Sequence, residues 1–476
     1  MVASIDTDYL IVGCGAVGVA FADTILTETD ATVTIVDRRA RPGGHWNDAY
    51  SFVQLHQPSA LYGVNSIPLG DGQKDSSGLN KGYCELARGP EVLDYFDKVV
   101  NTHFLSTGRV KYYPQCDYLG DGKFNCSQSG TTMQVNVRRK IVDATFYGTT
   151  VPLTHTPSFE VADGVKLVAP NALPGLWRTD ATKPEKLVIL GAGKTAMDVG
   201  VWLLNAGVEP QAISWVMPRD SWLLNRQHTQ PGAEFFHETF GGQVAQMEAL
   251  ATATDLPDLF RRLETSGVML RIDRDTEPSM YHCATMSQGE VDLLRKIKNV
   301  IRKGRVQSID TSGMVLGQGR VAVDGPVLYV DCTATAIERR PPVPVFQDNL
   351  ITLQMIRACQ PTFSAALTAH LEATLEDEGQ KNQLSGPVPL PEGLPEFLTG
   401  MLMNMINQFQ WSRDPGIRQW MIDSRLDGFS AVIAEISKDD TEKQAVLKAF
   451  RGFARQAPEN INRLIAQQNA DLVLSA

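Results

Sequence analysis

The chain lacks several features that mark large classes of protein. Its 476 residues contain no apolar run long enough to cross a bilayer, which argues against a helical membrane protein. Lys and Arg number 44 against 54 Asp and Glu, and a net charge of -10 does not supply the basic face that nucleic acid binding needs. The first residues have no secretory signal pattern. We therefore expect a cytoplasmic protein without nucleic acid or membrane partners, and leave open whether it forms a homo-oligomer.

Motifs for metals and reactive thiols are also missing. The seven cysteines are an odd number without C-x-x-C spacing, which favours a reducing compartment and disfavours a disulfide reductase. The eight histidines show no metal-ligand spacing such as H-E-x-x-H, and no G-x-S-x-G elbow is present. We expect no metal site.

One glycine-rich motif occurs twice, about 180 residues apart. Each copy follows a short apolar run, residues 10–12 and 187–190, and leads into a helix-compatible segment. In that context the first glycine permits a tight turn, the second lets backbone N–H groups approach a pyrophosphate, and the third position lets helix and strand pack closely. The helix N-terminus then faces the negative charge. The candidate dinucleotide contacts are Gly13, Gly15, Ala16, Val17 and Gly18 in the first motif, and Gly191, Gly193, Lys194 and Thr195 in the second.

The residues after each motif distinguish the two ligands. The strand at residues 32–36 ends at Asp37, and a carboxylate there accepts hydrogen bonds from a ribose diol. The strand at residues 213–217 is followed instead by Pro218 and Arg219, and an arginine can bind a 2′-phosphate. We therefore expect NADPH at the second motif, with Lys194 or Arg226 as possible helpers. Asp220 leaves NADH open as the alternative, and Arg219 could also be a solvated loop cation.

A more specific segment follows Asp37. Arg38 stands five residues before Gly43-Gly44-His45-Trp46, and this resembles the R-x-x-x-x-G-G-x-W segment of two-dinucleotide flavoproteins, especially the class B flavin monooxygenases. The resemblance implies FAD at the first motif, close to Arg38, Gly44, His45 and Trp46. It also likens two later segments, with Ala144 and Thr145 and with Thr335, to the family's two A-T-G strands. Leu353 and Gln354 are similar to the segment that returns to the flavin ring.

The family resemblance also implies an α/β fold with two Rossmann-like dinucleotide-binding domains, the NADPH domain inserted in the FAD domain. We assign residues 1–182 and 326–385 to the FAD-binding domain and residues 183–325 to the NADPH-binding domain. Residues 386–476, after a Pro-rich linker, read as a helical C-terminal region. Its apolar stripe from Phe397 to Phe409 either docks the tail onto the body or forms a substrate lid.

Two departures from the family pattern bear on the reaction. The signature F-x-G-x-x-x-H motif before the second glycine motif is absent, because residues 165–173 carry no histidine. Where the family often places an asparagine near the reactive flavin carbon, this chain has His56 and Gln57. Either could replace that donor as a catalytic residue, or His56 could be a satisfied, half-buried histidine.

Three functions remain open at this point. The first is an NADPH-dependent flavoprotein monooxygenase that uses O2 to oxygenate a small organic substrate at nitrogen, sulfur or a carbonyl carbon. The family resemblance implies a flavin C4a-hydroperoxide for that reaction. The second is an FAD and NADPH oxidoreductase, either reductase or dehydrogenase, without oxygen insertion. The third is a non-catalytic flavoprotein that senses nucleotides.

Overall fold

The computed structural model describes residues 3–179 and 183–475. The strands are β1 (Ala3–Val12), β2 (Val33–Asp37), β3 (Val110–Pro114), β4 (Cys116–Gly120), β5 (Lys123–Cys126), β6 (Thr131–Asp143), β7 (Glu160–Val161), β8 (Lys166–Val168), β9 (Leu187–Leu190), β10 (Ile213–Val216), β11 (Ser221–Asn225), β12 (Met269–Leu270), β13 (Met280–Met286), β14 (Asn299–Ile301), β15 (Val306–Asp310), β16 (Gly313–Leu316), β17 (Gly319–Ala322), β18 (Leu328–Asp331), β19 (Phe346–Gln347) and β20 (Leu350–Thr352).

The helices are α1 (Ala16–Glu28), α2 (Gly89–Asp97), α3 (Leu173–Leu176), α4 (Lys194–Asn205), α5 (Phe236–Thr252), α6 (Leu256–Thr265), α7 (Gln288–Leu294), α8 (Pro361–Thr374), α9 (Glu378–Leu384), α10 (Leu394–Arg413), α11 (Pro415–Asp423), α12 (Ser430–Ala434) and α13 (Thr441–Ser475). None of the helices in the described ranges is both long and apolar enough to cross a membrane.

The first glycine motif lies in a sheet of order β19-β20-β6-β1-β2-β3, with β5 and β4 added as an antiparallel extension of β6. From β20 to β3 the strands are parallel. All five residues of β2 are buried, as a parallel sheet covered on both faces requires. Helices α1 and α8 cover this sheet, and their apolar residues share one core with β1 and β2.

The second glycine motif lies in an entirely parallel sheet of order β14-β10-β9-β18-β8. Two strands of this sheet, β18 and β8, fall outside the borders that we assigned to this domain. We placed β8 in the first FAD segment and β18 in the second, yet both pair within the NADPH-domain sheet. The second sheet thus takes strands from both segments that flank the assigned domain, and the domain borders stay a prediction.

Local capping fixes where helices of the inserted domain begin. Residues 236–265 form two helices and not one, because Asp255 starts α6 by accepting a hydrogen bond from the Asp258 N–H at 2.8 Å. Ser287 and Glu290 form a capping box at the start of α7, with hydrogen bonds of 3.1 and 2.6 Å.

The C-terminal region is helical, as predicted. In α10 the residues Phe397, Leu398 and Met401 are buried in one apolar cluster with Trp222 and Phe260 of the inserted domain. Phe409, at the far end of the same stripe, is 61% exposed. Docking onto the body therefore accounts for the first half of the stripe.

Candidate functional site

The first glycine turn has the geometry that the motif predicts. Gly13 adopts φ +103° and its N–H donates to the Val36 oxygen at 2.8 Å, which joins the ends of β1 and β2. A Cβ on Gly18 would lie 2.1 Å from the Gly13 oxygen, so the third glycine is required for α1 to approach the turn. A Cβ on Gly15 would meet no atom nearer than 3.6 Å. Packing within the protein therefore does not demand the second glycine, but a pyrophosphate approaching the turn would.

Asp37 lies at the end of β2 beside this turn and is buried. Its carboxylate accepts hydrogen bonds from the backbone N–H groups of Cys14 at 2.5 Å and Arg39 at 2.7 Å. Arg39 in turn forms an ion pair with Asp48 at 2.7 Å, a contact that the sequence analysis missed. Arg38, which we had singled out, is exposed. The carboxylate keeps further lone pairs with which a ribose could bond.

The Gly-Gly turn closes over the first motif. Gly44 has φ +56°, and a Cβ there would lie 3.0 Å from the Gly15 Cα, so the two glycines pack backbone to backbone. Trp46 is buried next to this turn and donates to the Tyr62 hydroxyl at 2.9 Å. His45 stacks on Trp46, and burial lowers the pKa of His45 to about 4. The segment therefore offers a neutral, largely apolar wall near the turn.

The end of β6 meets the same turn. The Ala144 N–H donates to the Val12 oxygen at 3.0 Å, and a Cβ on Gly13 would lie 3.0 Å from the Thr145 Cγ2. Thr145 is itself fixed by Asp143, which accepts from its N–H at 2.8 Å and its hydroxyl at 2.6 Å. The predicted pair Ala144 and Thr145 thus lies against the phosphate turn.

The second turn repeats this construction. Gly191 has φ +112° and donates to the Val216 oxygen at 3.0 Å. At the end of β18, Asp331 fixes Thr333 through bonds of 2.9 and 2.6 Å, as Asp143 fixes Thr145. The counterpart of Thr145 is therefore Thr333. Thr335, which we had singled out, is two residues further on and exposed.

Gly193 and Lys194 form the start of α4. A Cβ on Gly193 would meet no atom within 4 Å, which leaves the space in front of the helix N-terminus open for a phosphate. Lys194 is paired with Asp198 one turn along the helix, and Asp198 also accepts from the Tyr50 hydroxyl at 2.7 Å. The lysine is therefore held beside the turn by a residue of its own helix.

The charged residues after β10 divide into two pairs. Asp220 is buried and bonds through both oxygens to Arg302, at 2.8 and 2.9 Å. Both oxygens of its carboxylate are thus occupied by Arg302. Asp220 is therefore poorly suited to accept hydrogen bonds from a ribose, the alternative that we had left open. Arg219 is half-exposed and pairs with Glu392 at 3.1 Å. Arg219 can exchange a surface carboxylate for a phosphate at small cost.

Arg226 does not help at the second turn. It is almost fully buried, and its guanidinium bonds to the His56 oxygen at 3.1 Å, the Asn80 side chain at 3.1 Å and Glu290 at 2.8 Å. The residue joins the two domains, and its donors are committed to the protein.

His56 lies on a segment that bridges the two dinucleotide folds. Its Nδ1 accepts the Thr285 N–H of β13 at 3.1 Å, so the neutral ring carries its proton on Nε2. Burial, and then the charges of Lys194 and Arg226, lower the pKa of His56 to about 3. At neutral pH this histidine can donate one hydrogen bond from Nε2 and cannot act as an acid. His56 can thus be a half-buried residue with a satisfied hydrogen bond and also a donor to a bound cofactor or substrate.

Gln57 turns towards the FAD domain. Its amide nitrogen lies 3.4 Å from the Cys359 oxygen, in the loop before α8. Leu353 is buried beside this loop, and its N–H donates to the Asp143 oxygen at 3.0 Å. Gln354 bonds through both side-chain atoms to the backbone of Val343, at 2.8 and 3.2 Å. Any contact of Gln354 with a ligand would therefore come from its backbone.

A small apolar cleft, with room for little more than one water molecule, lies between the domains beside these residues. Its walls include Tyr281, Met355, Val388, Pro389, Phe397 and Met401, and the disulfide of Cys283 and Cys359 forms part of its lining. A second disulfide joins Cys116 and Cys126. The sequence analysis predicted neither bond, and the expected reducing compartment stays a prediction. Spacing alone did not reveal them, because the partners are 10 and 76 residues apart.

Two glycine turns, each between a buried parallel strand and a helix N-terminus, define a protein of the two-dinucleotide class. Residues 11–68 match the family model of the NAD(P)-binding Rossmann-like domain. This match and the two folds agree with the resemblance drawn from the sequence and with its prediction of dinucleotide cofactors.

The curated relatives include the uncharacterized protein Rv2000 of Mycobacterium tuberculosis (strain ATCC 25618 / H37Rv) and the uncharacterized protein Mb2023 of Mycobacterium bovis (strain ATCC BAA-935 / AF2122/97). Each is 44% identical over 465 residues, which is 97% of this chain and 85% of the relative. The chain belongs to the family of these mycobacterial proteins.

Solved structures similar to this chain include a flavin-containing monooxygenase from Stenotrophomonas maltophilia, at 14% identity and a TM-score of 0.45, covering 78% of this chain and 98% of that one. The open crystal structure of cyclohexanone monooxygenase is similar at 12% identity and a TM-score of 0.45, covering 77% and 88%. The OTEMO complex with FAD and NADP is similar at 12% identity and a TM-score of 0.47, covering 77% and 84%.

Proposed function

We propose that this chain is an NADPH-dependent FAD oxidoreductase that oxygenates a small, largely apolar organic substrate with O2. The observation that carries the proposal is the position of residues 50–57 between the two dinucleotide folds. Tyr50 bonds to Asp198 in the helix of the second motif, and Gln57 contacts the loop before α8 of the first domain. Cofactors bound at both turns would meet along this segment.

FAD is assigned to the first turn and NADPH to the second. Asp37, buried beside Gly13, supports a ribose diol at the first site. Arg219 supports a 2′-phosphate at the second, and the pairing of Asp220 with Arg302 removes the carboxylate that would have favoured NADH. A Cβ on Gly193 would meet no protein atom within 4 Å and one on Gly15 none nearer than 3.6 Å, which fits the close approach of two pyrophosphates.

The protein's own residues would orient the reactants and exclude water. When bound, NADPH supplies a hydride and FAD passes electrons to O2. His56 stays neutral and can donate a hydrogen bond from Nε2, and a fixed donor near the reacting atoms would stabilise developing negative charge. A substrate held against the apolar walls of the cleft would be shielded from water.

The missing signature histidine favours a second candidate, an FAD and NADPH oxidoreductase without oxygen insertion. Residues 166–168 form β8 in the second sheet, and no histidine of this stretch reaches the cleft. A purely sensory role is disfavoured because the open second turn, next to a covered first turn, suits a dinucleotide that exchanges in each catalytic cycle.

One experiment separates these candidates. The purified chain is supplied with FAD, NADPH and ¹⁸O2, together with a panel of thioethers, tertiary amines and cyclic ketones, and the products are analysed by mass spectrometry. Incorporation of one labelled oxygen atom per NADPH consumed supports the monooxygenase. NADPH oxidation that yields only hydrogen peroxide, or a reduced organic product, supports the second candidate. Folded protein that binds FAD and NADPH without oxidising NADPH supports the sensor.

A further inference from the structure

The two disulfides occupy different places in the fold. Cys116 and Cys126 join the adjacent antiparallel strands β4 and β5 within the first domain. Cys283 lies in β13 of the inserted domain, whereas Cys359 lies in the loop before α8 of the FAD domain. The second bond is therefore a covalent link between the two dinucleotide folds.

Both cysteines of the interdomain bond have a left-handed backbone. Cys283 has φ +57° and Cys359 has φ +60°. In the described ranges the other non-glycine residues with positive φ are Gln115 and Asp121, which flank β4. The left-handed conformation costs an L-residue roughly 1–2 kcal/mol. Two such residues at one bond indicate a backbone held there by the surrounding contacts, and conformations of this kind are concentrated at functional sites.

The bond is also connected to the candidate catalytic residues. Gln57 contacts the Cys359 oxygen, and His56 accepts the N–H of Thr285, two residues after Cys283. Opening the bond would therefore act on both residues through short backbone segments. Both cysteines are only partly buried and line the small apolar cleft, which is the route that a small reagent would take to the sulfur atoms.

We propose that Cys283 and Cys359 form a thiol–disulfide exchange site for a small, uncharged thiol, and that its state sets how firmly the two dinucleotide folds are joined. This inference rests on the proposed function in one respect, because the bond lies beside the candidate catalytic residues His56 and Gln57. The exchange chemistry itself requires neither FAD nor NADPH. A charged thiol is disfavoured by the apolar walls of the cleft.

The exchange balances without any other co-reactant. The thiolate of one small thiol attacks the Cys283 sulfur, the bond between the cysteines breaks, and a mixed disulfide forms while Cys359 leaves as a thiolate and takes up a proton. A second small thiol attacks the mixed disulfide. The sum is one protein disulfide and two small thiols giving two protein thiols and one small disulfide.

The surroundings of Cys359 favour this direction of attack. Cys359 stands two residues before the first residue of α8, where the partial positive charge of the 14-residue helix stabilises a thiolate. The Tyr281 hydroxyl lies 3.9 Å from the Cys359 sulfur, and burial raises the pKa of Tyr281, so the hydroxyl stays protonated and can donate to the leaving sulfur.

The test uses the full-length protein with its bound cofactor and 2-mercaptoethanol as the thiol. After incubation at graded concentrations, free thiols are blocked with iodoacetamide and the peptides are mapped by mass spectrometry. We expect the Cys283–Cys359 bond to open at a thiol concentration at least tenfold lower than the Cys116–Cys126 bond, whose Cys116 is buried. Hydrogen exchange of residues 280–286 and 355–360 should rise by at least threefold when the bond opens.

Cys359→Ser provides the permanently open form and should reproduce the faster hydrogen exchange, while Cys116→Ser, which opens the other disulfide, should leave both segments unchanged. If a variant fails to fold, the titration of the wild-type protein still decides.

Three outcomes overturn the proposal: Cys283 and Cys359 free in protein purified under air, the Cys116–Cys126 bond opening first, or unchanged hydrogen exchange after opening. Loss of labelled oxygen transfer with normal thiol exchange would overturn the proposed function alone.

Discussion

The two dinucleotide folds share one turn but surround it differently. In the first, Gly44 lies over Gly15, Asp37 is buried, and the third glycine is indispensable because of the 2.1 Å approach at Gly18. In the second, Gly193 is exposed, Arg219 is half-exposed, and Ala196 takes the third position. The covered first turn suits a cofactor that stays bound, whereas the open second turn suits one that arrives and leaves in each cycle.

Gly18→Ala should have the largest effect, because the new Cβ would clash with the Gly13 oxygen and displace α1 from the turn. We expect the free energy of unfolding to fall by roughly 2–3 kcal/mol and the protein to lose FAD. The reverse change at the equivalent position of the second fold, Ala196→Gly, removes a methyl group from a helix. It should lower the free energy of unfolding by about 1 kcal/mol. Urea unfolding and the ratio of flavin to protein absorbance measure both. Equal losses in the two variants would refute the asymmetry.

Asp37→Ala should weaken FAD binding strongly while leaving the second site intact. It removes the acceptor of the Cys14 and Arg39 N–H groups, and each buried donor left without a partner costs about 1–3 kcal/mol. Asp37→Asn keeps one acceptor and should lie between the variant and the wild type. Titration of the apoprotein with FAD gives the dissociation constants. Unchanged FAD affinity in Asp37→Ala would show that the ribose binds elsewhere.

Arg219→Ala should raise the KM for NADPH by about tenfold or more, since a charge-assisted contact contributes roughly 1.5–3 kcal/mol. NADH serves as the control, because it lacks the 2′-phosphate and its KM should hardly change. Glu392→Gln should lower the KM for NADPH, as it frees Arg219 from its ion pair. Stopped-flow reduction of the flavin compares the wild type and both variants, each with NADPH and with NADH. Equal loss for both coenzymes would mean that Arg219 is structural.

Acid should destabilise the protein through His45 and His56, one near each fold. Their folded-state pKa values, about 4 and about 3, lie below the ordinary 6.5, so the unfolded chain binds the proton more tightly. The free energy of unfolding is therefore unaffected by these groups above about pH 6.5 and falls below it, by at most about 1.4 kcal/mol per pH unit for each.

His56→Gln keeps an acceptor for Thr285 and should reduce this dependence. Urea unfolding between pH 7 and about pH 4.5 tests it. A slope identical to that of the wild type would mean that folding does not lower the pKa of His56.

Gln57→Leu should have the smallest effect, because its hydrogen bond to Cys359 is long, at 3.4 Å. If its amide supports oxygen transfer, hydrogen peroxide released per NADPH should rise about threefold without change in FAD content, less than the loss typical of a well-placed donor. An unchanged peroxide yield would assign Gln57 a structural role at the domain contact.

Much of the fold could be predicted from local patterns. The strand, glycine turn and helix at both motifs, the buried Asp37 and the capping box at Ser287 depend on contacts between residues close in sequence or on a fixed turn geometry. The domain borders could not be predicted in this way, because β8 and β18 are short apolar runs whose sheet is decided by distant partners. The identity of Thr333 as the counterpart of Thr145 required both turns to be superposed in space.

The sequence by itself determined that two dinucleotide turns exist and which residues build them, since glycine spacing encodes backbone conformations that other residues cannot adopt. The tertiary structure decided which charges remain available. It paired Asp220 with Arg302, buried Arg226 in the domain contact, kept His56 neutral and joined Cys283 to Cys359. Charge, protonation and disulfide pairing depend on burial and on partners brought together from distant parts of the chain, and no local pattern encodes them.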